Sequence, residues 1–366
     1  MADPTGPLKG IKIVEFGGLG PGPFAGTMLS DMGGDVLRIA RKGAKDPEKT
    51  RTDARGRSTI ALDLKDPQAI AKCLEICDRA DIVFEGFRPG VMERLGLGPD
   101  IMLKRNPKLV YGRITGWGQS GPYAAAAGHD INYLAITGAL HAIGTQDKPV
   151  APLNLVADFG GGGMMLIVGM LAALIEARTS GRGQVVDAAI SDGATYLMSF
   201  FYGMLQEGGW RDVRNANLLD GGAPFYDTYR CADGEWISVG PLEPQFYALL
   251  LENAGATDLA TFAQMNQDHW PQMKTRLAEI FLTKSRQEWC AIMEYTDACF
   301  APVLSMTEAP DHPHNVARKS FVVVDGVTVP APAPRFSATP AAIRWASAPI
   351  MDDIDVAVAQ WRDGGV

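Results

Sequence analysis

The sequence is poor in cysteine and has no excess of positive charge. Its 366 residues include five scattered cysteines and no Cys-X-X-Cys pair: Cys73, Cys77, Cys231, Cys290 and Cys299. An odd, dispersed set favours reduced thiols over a disulfide framework. The formal net charge of −8 argues against non-specific binding to nucleic acid or to an anionic membrane. We therefore expect neither nucleic acid nor a membrane as a partner.

Long hydrophobic runs and targeting signals are also scarce. The longest apolar run, 164–175, is shorter than a membrane span. The first ten residues lack an apolar signal region, and the last three are not Ser-Lys-Leu. With reduced cysteines, this predicts a cytoplasmic protein. The hydrophobic fraction of 46% and the length of the chain indicate a large core and about two domains.

The first half of the chain alternates strand, turn and helix patterns. An apolar strand at 11–16 leads into a glycine-rich turn at 17–23, a helix at 24–32 and a second strand at 35–40. This opening is typical of nucleotide-binding folds. The composition and order of the elements predict an α/β protein.

The glycine-rich turn differs from a dinucleotide-binding turn. Pro21 and Pro23 lack the N–H groups that a pyrophosphate cradle needs. The second strand is followed by Arg41 and Lys42 instead of the acid that binds an NAD ribose. Arginine here suits a phosphorylated ribose, as in NADP or the 3′-phospho-ADP end of coenzyme A, or is simply a solvated strand end. An NADP oxidoreductase is thus a distant alternative.

Basic residues recur where the predicted strands end. Further strands are predicted at 59–64, 81–85, 109–114 and 184–190. Asp66 is predicted to cap the helix after the first of these, because proline follows it. Lys65, Arg88 and Arg94 lie at or just beyond the carboxyl ends of these strands or on the following helices. Open α/β sheets bind ligands at that edge. Together with Arg41, these residues predict an anionic ligand, although each alone is as expected on a surface.

A histidine and an aspartate stand together in the stretch 128–133, Gly-His-Asp-Ile-Asn-Tyr. Asp130 is predicted to cap a helix, which places His129 at the positive end of that helix. This position disfavours an imidazolium, so His129 is a candidate general base. The N–H groups of the same first turn could stabilise an oxyanion. An ordinary helix cap with a structural histidine is the alternative interpretation.

A second candidate acid precedes the most apolar helix of the chain. Asp158 is followed by four glycines at 160–163, and the helix is predicted to end near Arg178. A helix N-terminus is expected to lower the pKa of the Asp158 carboxyl, and a capping role is the alternative. The glycines indicate close approach of the backbone to a ligand or to a partner helix.

The second half of the chain changes character. Mixed polar and aromatic residues precede a predicted hairpin with an Asp-Gly turn at 233–234, and helical patterns follow. We interpret the organisation as a large domain, a linker, a small domain of hairpin plus helices, a return linker and a tail that completes the large domain. The predicted bounds are, in that order, 1–190, 191–221, 222–305, 306–324 and 325–366.

Several motifs resemble the class III CoA-transferase superfamily, which includes formyl-CoA and carnitine-CoA transferases. They are Glu-Gly-Phe-Arg-Pro-Gly at 85–90, Thr-Gly-Trp-Gly-Gln at 115–119 and Gly-Arg-Gly-Gln at 181–184, and the resemblance covers essentially the whole chain. The stretch 128–133 resembles most closely the racemases of this superfamily that act on 2-methylacyl-CoA thioesters. Transferases generally lack its histidine.

The resemblance implies a fold and a mechanism. The fold is a Rossmann-like large domain with a smaller α+β domain, in an interlaced homodimer. The implied enzyme is an isomerase that inverts the carbon next to a CoA thioester, with His129 and Asp158 as the acid/base pair. The backbone N–H of Asp130 would stabilise the enolate. Glu243 of the other subunit would hold the imidazole, although a first-turn helix glutamate explains Glu243 equally well.

The resemblance also implies how the substrate is held. No metal and no organic cofactor is expected, because coenzyme A is part of the substrate. The implied contacts with the CoA ester are Arg41, Leu62, Asp63, Leu64, Lys65, Gly86, Phe87, Arg88, Arg94, Gly128, Ile131, Asn132 and Tyr133. Two alternatives remain. A class III CoA-transferase would use Asp158 as an acyl-carrying nucleophile, and a non-catalytic acyl-CoA binder would need only the basic edge.

Overall fold

The computed structural model describes residues 5–45, 52–346, 350, 351, 353 and 355. These residues separate into two compact units. The first lies within 1–137, 152–198 and 314–366, and the second within 138–151 and 199–313. Of the predicted tail, 325–366, residues 347–349, 352, 354 and 356–366 lie outside the described residues.

The described part of the chain contains twelve strands and thirteen α-helices. The strands are β1 (Lys12–Phe16), β2 (Asp35–Arg41), β3 (Ser58–Leu62), β4 (Ile82–Glu85), β5 (Val110–Thr115), β6 (Val185–Ala189), β7 (Asp227–Arg230), β8 (Trp236–Val239), β9 (Phe300–Val303), β10 (Phe321–Val324), β11 (Val327–Pro330) and β12 (Ile350–Met351). The helices are α1 (Pro21–Asp31), α2 (Pro67–Cys77), α3 (Val91–Arg94), α4 (Pro99–Arg105), α5 (Asp130–Ala135), α6 (Ala139–Ala142), α7 (Met165–Ser180), α8 (Ile190–Leu197), α9 (Ser199–Gln206), α10 (Pro244–Ala254), α11 (Trp270–Phe281), α12 (Arg286–Met293) and α13 (Pro313–Arg318).

A seven-stranded parallel sheet organises the first unit. Its strand order is β12-β3-β2-β1-β4-β5-β6, and each neighbouring pair is parallel. The strands β1, β4 and β5 are buried along nearly their whole length. Continuous burial of this kind is typical of parallel sheets covered on both faces. The predicted α/β class is confirmed, and the predicted strands of this sheet recur with ends shifted by at most two residues.

Local sequence explains where helices α1 and α2 begin. Helix α1 begins at Pro21 instead of residue 24, because proline at the first helical position gives up only an N–H that has no partner there. Asp66 caps α2 as predicted, and its carboxylate accepts the N–H of Gln68 at 2.9 Å. On one sheet face, α2 contributes Cys73 and Cys77 to a buried apolar cluster, so both thiols serve as core.

The chain between α6 and α7 forms a π-helical segment, Leu155–Met164, that runs directly into α7. The combined stretch, Leu155–Ser180, is long and apolar enough to cross a membrane by length and composition, and 44% of its most apolar window is buried. It is longer than the apolar run 164–175 read from the sequence. Within the protein, α7 covers the sheet: Met170 contacts Gly112 of β5, and Gly169 contacts Val186 of β6.

The second unit has an antiparallel three-stranded sheet, β7-β8-β9. The predicted hairpin is confirmed, with Gly234 at a φ of 88° in the turn between β7 and β8. Helices α10, α11 and α12 contribute to its apolar core, which is rich in aromatic side chains: Phe225, Tyr229, Tyr247, Trp270, Phe281 and Trp289. This unit consists of 138–151 and 199–313, whereas the small domain was predicted at 222–305, after a linker at 191–221. The reason is that α8 packs against the π-helical segment and so belongs to the first unit.

Candidate active site

In the central sheet, β1 and β4 are neighbours, and later strands are added outward from this pair on both sides. Strands β2 and β3 follow on one side of this pair, and β5 and β6 on the other. Open α/β sheets bind ligands in the crevice at the carboxyl ends of such a pair. A cavity of about 360 Å³ lies here, lined by the turn after β1 and by the residue that follows β4, Gly86.

Both candidate acid/base residues line this cavity. His129 and Asp158 are joined there by Tyr133 of α5 and Ile190 of α8. The remaining lining residues are Phe16, Gly18, Leu19, Gly20, Pro21, Gly22, Phe84, Gly86, Ile114, Thr115 and Gly116. The cavity is therefore mostly apolar, with an imidazole and a carboxyl among its few ionisable groups.

A second cavity of about 210 Å³ shares His129, Tyr133 and Gly86 with the first. It is also lined by Phe87 and Arg88 and by parts of the loop before α5. His129 thus stands where the two cavities meet, one containing Asp158 and the other Arg88. A ligand with a reactive end and an anionic end could occupy both.

His129, and not Asp130, is the residue at the N-cap of α5. Its backbone is extended, its N–H donates to Asn132 Oδ1 at 3.1 Å, and its carbonyl accepts the N–H of Asn132 at 2.8 Å. Asp130 is the first helical residue. The predicted capping role of Asp130 is wrong, because its carboxylate accepts a hydrogen bond from the backbone of another element, the N–H of Asp158.

Asp158 lies in the first turn of the π-helical segment. Burial and, next, the neighbouring Asp130 raise the pKa of its carboxyl to about 6. A hydrogen bond from Asn154 and the proximity of His129 oppose this shift. The expectation that the helix N-terminus would lower this pKa is wrong, because burial and a like charge outweigh the helix dipole. A carboxyl of this kind can both hold and release a proton near neutral pH.

The loop before His129 is held by aromatic side chains. The Tyr133 hydroxyl donates to the carbonyl of Gly128, and its ring packs edge-on against Trp117 with centroids 4.8 Å apart. Burial and the nearby Asp158 raise the pKa of Tyr133, and Arg88 opposes them. Tyr133 therefore links the histidine loop, the second cavity and the carboxyl of Asp158.

The predicted close approach of the glycine run is to a helix of the same chain. A Cβ added to Gly193 of α8 would lie 1.8 Å from the carbonyl oxygen of Gly161, and one added to Gly161 would lie 2.6 Å from the N atom of Ala194. No side chain fits between these backbones. Gly20, at a φ of 64°, also lies close to the Asp158 carboxyl, since its Cβ would be 3.2 Å from Oδ2. Main-chain contacts thus hold the turn that carries Asp158.

The predicted CoA contacts lie along the same edge of the sheet. Arg41 is the last residue of β2, and Arg94 is the last residue of α3. Leu62 ends β3 and is buried, and the next residues, Asp63 to Lys65, form a turn in which Asp63 accepts the N–H of Lys65 at 3.1 Å. The four cationic side chains, Arg41, Lys65, Arg88 and Arg94, are exposed. Their predicted location is confirmed, and their contact with CoA stays a prediction.

Glu243 lies in the second unit, at the N-cap of α10. Its carbonyl accepts the N–H of Tyr247 at 3.0 Å in the first turn of that helix. The sequence predicted a glutamate in the first turn of a helix, and Glu243 lies just before that turn. Its action on the histidine of another subunit stays a prediction.

Two residues of the site were missed as functional candidates. Glu85, at the end of β4, is buried, and its carboxyl accepts the N–H of Phe87 at 2.6 Å. Burial raises its pKa to about 7. Asn154 bonds the Asp158 carboxyl. Their spacing offered a signal: an acid ended a buried strand just before the basic loop, and an amide stood four residues before Asp158.

Comparison with known proteins identifies the family. A model of CoA-transferase family III matches residues 8–353. The chain belongs to CoA-transferase family III. Within this family, the chain is 49% identical to the α-methylacyl-CoA racemase of Mus musculus, over 91% of this chain and 87% of that protein. It is 46% identical to the α-methylacyl-CoA racemase of Homo sapiens, over the same shares of each chain.

Solved structures agree with the family assignment. The crystal structure of Rv3272 from Mycobacterium tuberculosis superposes with a TM-score of 0.80 at 26% identity, covering 97% of this chain and 99% of that one. Coverage of this extent means that both units of the family III chain have counterparts in the solved structure. The comparison supports the fold at the level of the whole chain.

Proposed function

We propose that this family III protein is a racemase that interconverts the (2R) and (2S) forms of 2-methylacyl-CoA thioesters. The observation that carries the proposal is that His129 and Asp158 line one cavity at the ligand-binding edge of the sheet. The racemase names of relatives that are 49% and 46% identical support it. An isomerase of this class needs two acid/base groups at a single carbon.

In the proposed reaction, one of the two side chains removes the proton from the carbon next to the thioester. The electron pair moves into the carbonyl group, which becomes an enolate. The other side chain returns a proton to the opposite face, so the configuration is inverted and no atom is lost. Each positioned group contributes about 10²–10⁴-fold. With a pKa of about 6, Asp158 can serve as base in one direction and as acid in the other.

The enolate oxygen requires a hydrogen-bond donor, because the α-proton of a thioester is only weakly acidic. Asp130 is the first residue of α5, and the N–H groups of a first helical turn have no acceptor within their own helix. We assign the N–H of Asp130 to the enolate oxygen. An oxyanion donor of this kind contributes about 3–4 kcal/mol.

The CoA moiety is proposed to lie along the basic edge. Arg88 lines the cavity next to His129, Arg41 ends β2, Lys65 follows β3 and Arg94 ends α3. Guanidinium and ammonium groups suit the phosphates of CoA. No metal and no organic cofactor takes part in the proposal.

The protein is further proposed to act as an interlaced homodimer in the cytoplasm. In that assembly, Glu243 of the partner subunit would bond the imidazole of His129 and hold one tautomer. The five cysteines of the chain are all free, which suits a reducing compartment. Size measurement in solution, with the Glu243→Gln variant assayed for activity, tests both parts.

The proposal is tested with a single enantiomer of a 2-methylacyl-CoA in D₂O. The α-hydrogen is followed by NMR and the configuration by chiral chromatography, with a free-acid acceptor in a parallel sample. We expect deuterium uptake with loss of optical purity in the absence of acceptor. Retention of the α-hydrogen with transfer of CoA to the acceptor would instead establish a transferase that uses Asp158 as nucleophile. Binding without either reaction would favour a non-catalytic acyl-CoA binder.

A further inference from the structure

We propose that the side chain of Asp130 is a positioning residue that fixes where Asp158 lies and favours the protonated form of its carboxyl. This inference rests on the proposed racemase function. It concerns the carboxylate of Asp130 and is separate from the role of its backbone N–H. Two observations carry it, a hydrogen bond between two elements and a pair of like charges.

The hydrogen bond joins α5 to the π-helical segment. Asp130 Oδ1 accepts the N–H of Asp158 at 2.8 Å, between residues 28 positions apart. The N–H groups in the first turn of a helix lack acceptors in their own helix. Asn154, at the N-cap of the segment, makes no side-chain capping bond, and its side chain instead bonds the carboxyl of Asp158. Asp130 therefore caps this turn from outside.

The bond also links the two acid/base residues of the site. His129 is the residue immediately before Asp130. His129 and Asp158 are thus connected directly, by the peptide bond to Asp130 and by the hydrogen bond from Asp158 to the Asp130 carboxylate. A shift of Asp130 would change the separation of the two groups that must act on the same carbon.

The charge of Asp130 acts on the same carboxyl. Burial is the largest cause of the raised pKa of Asp158, and Asp130 is the next. The other groups that face Asp158 are Asn154 and His129, which lower its pKa, and the Tyr133 hydroxyl. Asp130 is thus the nearby negative charge that favours the protonated form of Asp158.

Two substitutions separate the two effects. Asp130→Asn keeps an oxygen acceptor for the Asp158 N–H but removes the charge. We expect the acid limb of the kcat profile, measured as α-hydrogen exchange, to move down by about one pH unit, with KM changed by less than about twofold. Asp130→Ala removes the acceptor as well, and we expect exchange to fall by about 10²-fold at every pH. Both variants retain the backbone N–H.

The chain offers a matched control in Asp81. Its Oδ2 accepts the N–H of Lys12 at 2.8 Å, also from a distant part of the chain and also partly buried. This bond lies at the amino edge of the sheet, where β1 begins. We expect Asp81→Asn to leave the pH profile of exchange unchanged. Thermal unfolding of all three variants separates changes in folding from changes in the site.

A profile of Asp130→Asn that coincides with wild type would overturn the proposal, as would an equal shift in Asp81→Asn. A second test measures the pKa of Asp158 directly and does not depend on activity. In protein labelled with ¹³C at the aspartate carboxyls, the Asp158 signal is assigned by its loss in Asp158→Asn and titrated by NMR. We expect its pKa to fall in Asp130→Asn, and an unchanged pKa would contradict the inference. If wild type fails to exchange the α-hydrogen, the racemase proposal fails while this titration still decides the role of Asp130.

Discussion

Carboxyl groups are buried at both edges of the seven-stranded sheet, but the charged groups around them differ. Near the amino edge, burial raises the pKa of Asp31 and Asp35. Their charged neighbours are cations that oppose the shift, led by Arg55 for Asp31 and by Arg344 for Asp35. Each acid there is neutralised by a partner.

At the carboxyl edge, burial again raises the pKa of the acids, but the neighbours include other carboxyls. Asp130 adds to the shift of Asp158. Glu93 and Asp187 add to that of Glu85, against a hydrogen bond from the backbone and the charge of an arginine. The difference teaches that burial alone does not distinguish a structural acid from a reactive one. Around Asp158 a neighbouring carboxyl adds to the shift, whereas around Asp31 and Asp35 cations oppose it.

The largest expected effect is a loss of activity when either acid/base residue at the carboxyl edge is replaced. We expect Asp158→Asn and His129→Gln each to slow racemisation by about 10²–10⁴-fold, because each removes one acid/base group. His141→Gln, on an exposed histidine of the second unit, serves as control and should exchange normally. Exchange of the α-hydrogen is measured by NMR in D₂O and racemisation by chiral chromatography. Near-normal racemisation by His129→Gln would refute a two-base mechanism.

An amino-edge substitution should affect stability and not activity. Arg55 Nε bonds Asp31 Oδ1 at 3.2 Å, and its Nη1 donates to the carbonyl of Pro330 at 2.9 Å. Both side chains of the pair are buried. We expect Arg55→Gln to lower the free energy of unfolding by about 3–5 kcal/mol, because it leaves a buried charge without its partner.

Urea unfolding at pH 7 measures this change, and kcat should stay as in wild type. The double variant Asp31→Asn/Arg55→Gln removes both charges and should recover part of the loss. Loss of activity at full stability would show that the amino edge also contributes to the chemistry, and the contrast between the edges would not hold.

The smallest effect concerns Glu85 and depends on pH. Its pKa is about 7 in the folded protein against 4.5 for an ordinary glutamate. Between these values the folded state binds more protons than the unfolded state, so stability falls as pH rises from 4.5 to about 7. We expect Glu85→Gln to remove this loss, which amounts to about 3 kcal/mol at about 1.4 kcal/mol per pH unit.

The measurement is the stability difference between Glu85→Gln and wild type at pH 5 and pH 8. The stability of the variant relative to wild type should be greater at pH 8 than at pH 5. Glu252→Gln, on an exposed face of α10, is the control and should show no such change. An equal difference at both pH values would mean that Glu85 is ionised in the folded protein across this range.

Local sequence was sufficient for the elements that depend on local physics. The strands that end at Phe16 and Glu85 were predicted from apolar runs, and the Asp66 cap from its proline. The location of the cationic residues followed from the parallel sheet.

Features that depend on distant contacts were not predictable in this way. The π-helical turn forms around Gly161 because α8 approaches through Gly193, which is 32 positions away and carries no signal of its own. The capping role of Asp130 was misassigned because its acceptor oxygen serves the N–H of Asp158, across a separation that no local pattern encodes. The pKa of Asp158 was predicted in the wrong direction for the same reason, since burial and Asp130 act through the tertiary fold.

The contact between Gly161 and Gly193 has a consequence for changing what the protein accepts. Because main chain meets main chain there, the position of the Asp158 turn does not depend on the size of any side chain at the contact. A cavity wall such as Leu19, whose side chain is exposed, can be exchanged for a larger or smaller residue while the acid stays in place. The cavity lining can thus be varied while the reactive carboxyl keeps its position. This makes the protein a suitable scaffold for selecting variants that accept new acyl groups.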